Sequence, residues 1–268
     1  MRLIVNADDF GFHENANRAI AACFAEGTIS QTTAMMNMPA IESALALARE
    51  KGFHDCVGLH VNLSEGCPLS DGIRKSRLFC DANGLFNGII RTNKFLRFHL
   101  PRSERRVVMD EIRAQMRAFI DAGLPMRHFD SHGHVHAYIS LMPLFLQCAK
   151  EYGFRSTRIF IDLSANHYGD EVSFLRRCYI NCGKRMIDKA GLMRTTHLGL
   201  AHDVDRHIDE LEDDSVTEVL CHPQYRLPDN TISMEGRLVD WKTPYEESVG
   251  LLKKCRNRFQ LVTFEDLR

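Results

Sequence analysis

The chain has 268 residues, with 34 Lys and Arg against 35 Asp and Glu, a net charge of −1, and 44% hydrophobic and 26% charged residues. That length and balance suit a globular protein of one large domain or two small ones, and the length is close to the ~250 residues of a (β/α) barrel. No basic tail or stripe points to nucleic acid, and no basic amphipathic segment or long apolar run points to a membrane.

Short β-rich runs alternate with helical patterns. "LIVNA" (3–7) predicts a buried strand, and a helix follows from about Glu14 to Glu26. "TTAMMN" (32–37) predicts a second strand, and Pro39 opens a helix with Ile41, Ala44, Leu45 and Ala48 at helical spacing. "CVGLHVNL" (56–63) predicts a third strand. From Ser64 to Leu100 the pattern breaks into Gly, Pro, Asp and Asn punctuation, and an excursion of that length is usually a lid or binding loop. A helix from Ser103 to Asp121 ends at Gly123 and Pro125, and "RHFDSHGHV" follows as strand four. After a helix over 141–152, four further strands are predicted at 156–161, 195–200, 216–222 and 259–264. Regular βα alternation implies a parallel sheet, and seven or eight repeats favour a single-domain barrel over 1–268.

Nine cysteines are scattered without CxxC pairs, and Cys56, Cys148 and Cys221 sit in apolar runs that suggest buried thiols. Such usage, with an N-terminal apolar run too short for a signal-peptide core, points to a cytoplasmic protein with reduced cysteines.

Polar residues gather where these strands end. Asp8 and Asp9 follow strand one, and His60 and Asn62 lie toward the end of strand three. Asp130, His132, His134 and His136 end strand four, and His222 ends strand seven. In a parallel barrel these ends open on one face, where barrel enzymes place their active sites.

"DSHGHVH" (130–136) sets four metal-ligand side chains at alternate positions. Side chains two apart on a strand share a face, so Asp130, His132 and His134 can point into one space. Imidazole with carboxylate suits Zn²⁺, Fe²⁺, Mn²⁺ or Co²⁺, whereas Mg²⁺ is better suited by an all-oxygen site, and a crowded run can supply outer partners as well as ligands. "NADDFG" has a bland explanation, with Asp9 capping the helix near Glu14 or making an Asx turn. Its chemical appeal is that a metal hydrolase needs one carboxylate for the ion and another to take a proton from water. His60 in its apolar strand reads equally as a satisfied core residue, and His222 before Pro223 as an ordinary strand end. His128 and His197 read as hydrogen-bonded structural residues, and His54, His99, His167, His202 and His207 as surface residues. Asp203, Asp205 and Asp209 read as a solvated helix face.

Together "LIVNADDFG", "VGLHVNL", "DSHGHVH" and "CHP" resemble, in order and across residues 3 to 223, the YdjC family of carbohydrate deacetylases, which includes chitooligosaccharide deacetylases. The resemblance implies a distorted (β/α) barrel that removes acetyl groups from N-acetylated sugars with a divalent metal, Mg²⁺ in some members and Zn²⁺ in others. It implies Asp9, His60 and His132 as metal ligands, Asp8 as general base and His222 as general acid. Many members carry "DSHHHVH", and Gly133 is this chain's departure from it; the implied ligand His132 is retained.

The function expected is therefore a metal-dependent hydrolase that deacetylates an N-acetylated amino sugar or short oligosaccharide through a metal-activated water. One divalent ion is expected, Mg²⁺ or Zn²⁺ with Mn²⁺ or Co²⁺ as further options. The expected partner is a small N-acetylated sugar, with no nucleic acid and no membrane, and a homodimer is left open. The alternatives are another barrel-type metal hydrolase, such as a phosphoesterase or cyclic amidohydrolase, and a sugar- or metal-binding protein without turnover. No phosphate cradle is apparent, and cyclic amidohydrolases place HxH after their first strand, where this chain has Asp8 and Asp9.

Overall fold

A computed structural model describes residues 1–163, 174–224, 232–234, 237–239 and 259–267. His167 lies outside them. The first strand, β1 (Arg2–Phe10), runs longer than its apolar stretch and is followed by α1 (Glu14–Ala25), β2 (Gln31–Ala34), α2 (Ile41–Lys51) and β3 (Val57–Val61). The excursion holds two short helices, α3 (Asp71–Arg74) and α4 (Ile89–Thr92), and a 3-10 turn at Lys94–Arg97. Then come α5 (Arg102–Asp121), β4 (His128–Ser131), α6 (Met142–Glu151), β5 (Ser156–Thr157), α7 (Phe174–Lys189), β6 (His197–Gly199), α8 (Ala201–His207) and β7 (Val216–Cys221). A small antiparallel pair, β8 (Ile232–Met234) with β9 (Arg237–Val239), and the short β10 (Gln260–Leu261) complete the order.

The main sheet is wholly parallel, in the order β5-β4-β3-β2-β1-β7-β6. Each crossover from β1 to β5 steps one place in the same direction, and β6 and β7 return along the other side of β1. The eighth strand does not add another stave. β10 pairs with Arg2 and Leu3, along the part of β1 below Asn6, where pairing with β2 begins. The two sheet edges meet through irregular backbone: the N–H of Thr157 donates to the carbonyl of Met193 at 3.1 Å, and that of Asp162 to Leu198 at 3.1 Å. The result is a curled seven-strand parallel half-barrel, a distorted TIM-like barrel, as the βα alternation predicts.

Two local features position the site. Ala7 pairs with Thr32 and Phe10 with Ala34, so Asp8 and Asp9 together oppose the single residue Thr33. This is a β-bulge, a device that re-aims side chains beside active sites, and it holds Asp9 at φ +68° in the left-handed region. Asp8 and Asp9 thus belong to β1 itself rather than following it. The chain turns at Gly11, φ +91°, where a Cβ would stand 2.9 Å from Cδ1 of Ile41.

The second feature corrects the strand-alternation argument for the histidine run. β4 stops at Ser131, and residues 132–137 form a 3-10 turn in which Gly133 (φ 63°) and His134 (φ 56°) are left-handed. The two consecutive left-handed residues turn the chain away from the sheet. His132, His134 and His136 therefore do not share one strand face.

Helix α5 anchors the start of the excursion. Its buried Val108, Ile112, Met116 and Phe119 face the core, and two buried polar residues on it serve the loop. Glu111 accepts from the backbone N–H of Leu69 (3.0 Å) and Ser70 (2.7 Å), and Gln115 exchanges two hydrogen bonds with the backbone of Asn62. His128 and His197 are hydrogen-bonded as expected, to Ser156 Oγ (3.2 Å) and Asp162 Oδ2 (3.3 Å). Asp203 corrects the reading of a solvated face: it is buried, and it accepts from the N–H of Leu200 at 3.2 Å. Among the described residues eight cysteines are free; Cys148 and Cys221 are buried, whereas Cys56 is half-buried.

Candidate active site

Asp9, from the bulge, sits between two imidazoles. Its Oδ1 lies 3.3 Å from Nε2 of His60 and 2.9 Å from Nδ1 of His132. All three residues are buried, and each offers a ligand atom within 4.8 Å of the others. His60 comes from β3 and His132 from the first position after β4, the neighbouring strands whose ends face the bulge. The other nitrogen of His60, Nδ1, is 2.5 Å from Oδ1 of Asp130, which turns Nε2 toward Asp9. A carboxylate behind an imidazole is the arrangement by which proteins orient a metal-ligating histidine. One carboxylate oxygen and two imidazole nitrogens at these separations fit a divalent ion with open positions for small ligands. A second grouping, Asp8, His60 and Asp130, also lies within 4.8 Å, but Arg158 and Asn6 already engage its carboxylates.

Arg158 was not among the residues singled out by sequence. It follows β5 and is 0% exposed, the largest fully buried side chain of the described residues. Its Nη1 donates to Asp8 Oδ2 at 2.7 Å and its Nη2 to Asp8 Oδ1 at 2.6 Å, a two-point grip that fixes the carboxylate plane. Nη2 also meets Asp130 Oδ2 at 2.8 Å, and Nε donates to Glu218 Oε1 at 2.8 Å. One guanidinium therefore serves three carboxylates, and His60 lies beside them against Asp130. Burial pushes the Asp8 pKa upward, but Arg158 outweighs it and holds the carboxyl well below its ordinary range. Burial likewise works against a charged His60, yet Asp130 and Asp8 outweigh it and raise its pKa to about 10. Glu218 is left with the opposite balance: burial dominates, and its carboxyl is pushed up to about 7.

His222, one residue past β7, stands at the opening with its side chain 24% exposed and Nε2 3.8 Å from Asp8 Oδ2. The structure thus gathers all five residues expected at the site, Asp8, Asp9, His60, His132 and His222. The other two histidines of the run do different things. His136 is a structural link, with Nδ1 2.6 Å from Ser131 Oγ and Nε2 3.2 Å from the carbonyl of Arg158. His134 has a buried Nδ1 without a hydrogen-bond partner, and burial, then Arg158, lowers its pKa to about 3. Helix capping does not explain Asp9, since His13 caps α1 by accepting from the N–H of Ala16.

Arg158 and Glu218 did carry a sequence signal. Each is a lone charge inside an apolar strand pattern, "STRIFI" and "VTEVLC", where a buried parallel strand is ordinarily apolar throughout. Neither pattern says what neutralises it.

The YdjC-like protein family matches residues 2–249. The chain belongs to this family. A carbohydrate deacetylase of Brevibacillus brevis is 38% identical over 152 residues, covering 57% of each chain. One from Danio rerio is 34% identical over 163 residues, 60% of this chain and 50% of that protein. A chitooligosaccharide deacetylase of Proteus mirabilis is 37% identical over 155 residues, 56% of this chain and 55% of its own. The matched part thus spans about half of each of these YdjC-like relatives. The crystal structure of a proposed cellobiose-phosphate cleavage protein of Enterococcus faecalis superposes with a TM-score of 0.74 at 20% identity, over 99% of this chain and 98% of the other. That likeness establishes the fold, across nearly the whole of both chains. Among the described residues no helix is long and apolar enough to cross a membrane.

Proposed function

We propose that the chain is a metal-dependent hydrolase that removes the acetyl group from an N-acetylated amino sugar or short oligosaccharide. The observation that carries this reading is the buried Asp9–His60–His132 cluster beside an Arg-gripped Asp8, with His222 at the opening. The names of the relatives, carbohydrate and chitooligosaccharide deacetylases, support the substrate class.

Asp9, His60 and His132 would hold the ion, with Asp130 fixing the ring of His60. A divalent ion there would act as a Lewis acid toward water and a carbonyl oxygen. Asp8 would accept the proton from the attacking water. Arg158 keeps Asp8 ionised through the neutral range and holds both its oxygens, so its orientation is set before substrate arrives. A carboxylate so stabilised is a weak base, which is why it needs water more acidic than bulk. His222, partly exposed and close to Asp8, would carry a proton to the departing amine nitrogen, so that acetate and the free amine leave. The same reading makes the excursion over 64–100 part of the sugar pocket, because it leaves directly after β3. It also makes the chain a cytoplasmic enzyme, in keeping with its scattered cysteines. Zn²⁺, Mg²⁺, Mn²⁺ and Co²⁺ are the ions to test.

Acetate release from N-acetylglucosamine and its dimer, with each of these ions and with chelator, tests the reading. Metal-dependent release from at least one sugar is the expected result. A chain that binds an ion but releases acetate from neither would count against the deacetylase assignment.

A further inference from the structure

His60 and His132 flank Asp9 in the same way, but they are backed differently. The outer nitrogen of His60 meets the carboxylate of Asp130. The outer nitrogen of His132, Nε2, lies 3.0 Å from Nη1 of Arg91 and 4.0 Å from Oε1 of Glu65. Arg91 and Glu65 are themselves paired at 3.1 Å. Both come from the excursion: Glu65 just after β3, and Arg91 from α4.

These two contacts require different forms of the ring. Guanidinium N–H groups only donate, so a hydrogen bond from Arg91 needs the lone pair of Nε2, and the ring proton then sits on Nδ1, facing Asp9. Ligation of an ion through Nδ1 needs the reverse, with the proton on Nε2. That N–H has nothing to gain from a guanidinium and needs an acceptor. Glu65 is the carboxylate within reach.

We propose that Arg91 and Glu65 compete for Nε2 of His132 and act as opposed positioning residues for the metal centre: Arg91 favours the ion-free tautomer, and Glu65 favours the ion-binding one. The excursion thereby contributes to metal affinity as well as to the pocket wall. The backbone is built for this. Asn62 accepts from the N–H of Ser64 (3.0 Å) and Glu65 (3.1 Å) and donates to the carbonyl of Glu65 (2.8 Å), so Glu65 is placed independently of its carboxylate. Gly133 provides the seat for Arg91: a Cβ there would lie 3.0 Å from Nε, 3.1 Å from Cδ and 3.2 Å from Cγ of the arginine. Arg91 is otherwise open to solvent, its side chain 43% exposed, so it can swing away without unfolding anything.

The proposal rests on the metal-centre reading given above, and the test separates the two. Chelator-treated protein is titrated with Zn²⁺ against a chromophoric competitor, for wild type, Glu65→Ala, Glu65→Gln and Arg91→Met. Glu65→Ala should weaken Zn²⁺ binding about 10–100-fold. Glu65→Gln, which keeps a neutral acceptor, should weaken it less. Arg91→Met keeps the apolar stem but removes the donor, and it should tighten binding several-fold. Two-bond ¹H–¹⁵N spectra of chelator-treated wild type should show His132 protonated on Nδ1, a preference that Arg91→Met should lose. A salt bridge that merely supports the loop would shift both variants in the same direction. Same-direction changes, unchanged affinities or an Nε2-protonated ring in wild type would each overturn the proposal. Failure of wild type to bind Zn²⁺ or any other divalent ion would instead sink the metal-centre reading.

Discussion

Glu218→Gln is the substitution that probes the buried network beneath the site. Glu218 shares Arg158 with Asp8 and Asp130, and its Oε2 has no hydrogen-bond partner. Its pKa rises from an ordinary 4.5 to about 7, with burial as the largest cause. At about 1.4 kcal/mol per pH unit, ionised Glu218 costs the folded state about 3 kcal/mol once the pH is above 7. Because the folded chain holds this proton to higher pH than the unfolded chain, stability is complete below about pH 4.5 and falls as pH rises through 7. Gln keeps an acceptor for Nε of Arg158 and never ionises, while Asp8 and Asp130 still neutralise the guanidinium. Urea unfolding of both proteins at pH 5 and pH 8 is the assay. The variant should match or fall slightly below wild type at pH 5 and exceed it by about 2–3 kcal/mol at pH 8. A difference independent of pH would mean that Glu218 does not change protonation on folding. A variant less stable than wild type at pH 8 would mean that Arg158 needs all three negative charges.

Three further outcomes follow from the site. His132→Ala should abolish stoichiometric metal in protein purified without chelator, as read by elemental analysis, and should remove the rise in melting temperature that added ion gives; full occupancy in that variant would take His132 out of the ligand set. Asp8→Asn should keep the metal and lose roughly 10²–10⁴-fold in turnover, since the amide cannot accept the proton; retained turnover would move the base elsewhere. His222→Ala should keep the metal, lose activity on the amide, and hydrolyse an activated acetyl ester nearly as well as wild type. Equal losses on both substrates would give His222 a role in positioning or oxyanion stabilisation, and the acid would then have to come from elsewhere than His134, whose lowered pKa of about 3 leaves its ring neutral, or His136, both of whose nitrogens are engaged.

The five expected residues were legible as polar residues toward the ends of strands whose apolar runs can be read locally, and the resemblance to the YdjC family picked them out from Asn62, Asp130, His134 and His136. In a parallel barrel the topology then brings such ends together whatever their distance in sequence. Asp8 and Asp9 illustrate the limit of that reasoning. Alternation along a regular strand would send neighbouring carboxylates to opposite faces, yet both are buried at the site. The bulge against Thr33 is responsible, and a bulge is a property of the pairing between β1 and β2, not of either strand alone.

Similarly, "DSHGHVH" announced ligand chemistry but not its geometry. Only His132 joins Asp9, because the left-handed pair Gly133 and His134 turns the chain away from the sheet and leaves His136 bound to Ser131 and Arg158. The lone charges of Arg158 and Glu218 are visible as anomalies in apolar strands, but a buried charge is stabilised by whatever surrounds it. Here the surroundings come from β1, β4 and β7, up to 150 residues away. The sequence by itself thus determined the parallel βα architecture and the residue types at the strand ends, since periodicity and ligand chemistry are local. Only the tertiary structure decided which nitrogen of each histidine faces Asp9, how Arg158 is divided among three carboxylates, and that Glu65 and Arg91 stand behind His132. Each of those depends on distances of a few ångströms between strands and loops that packing alone brings together.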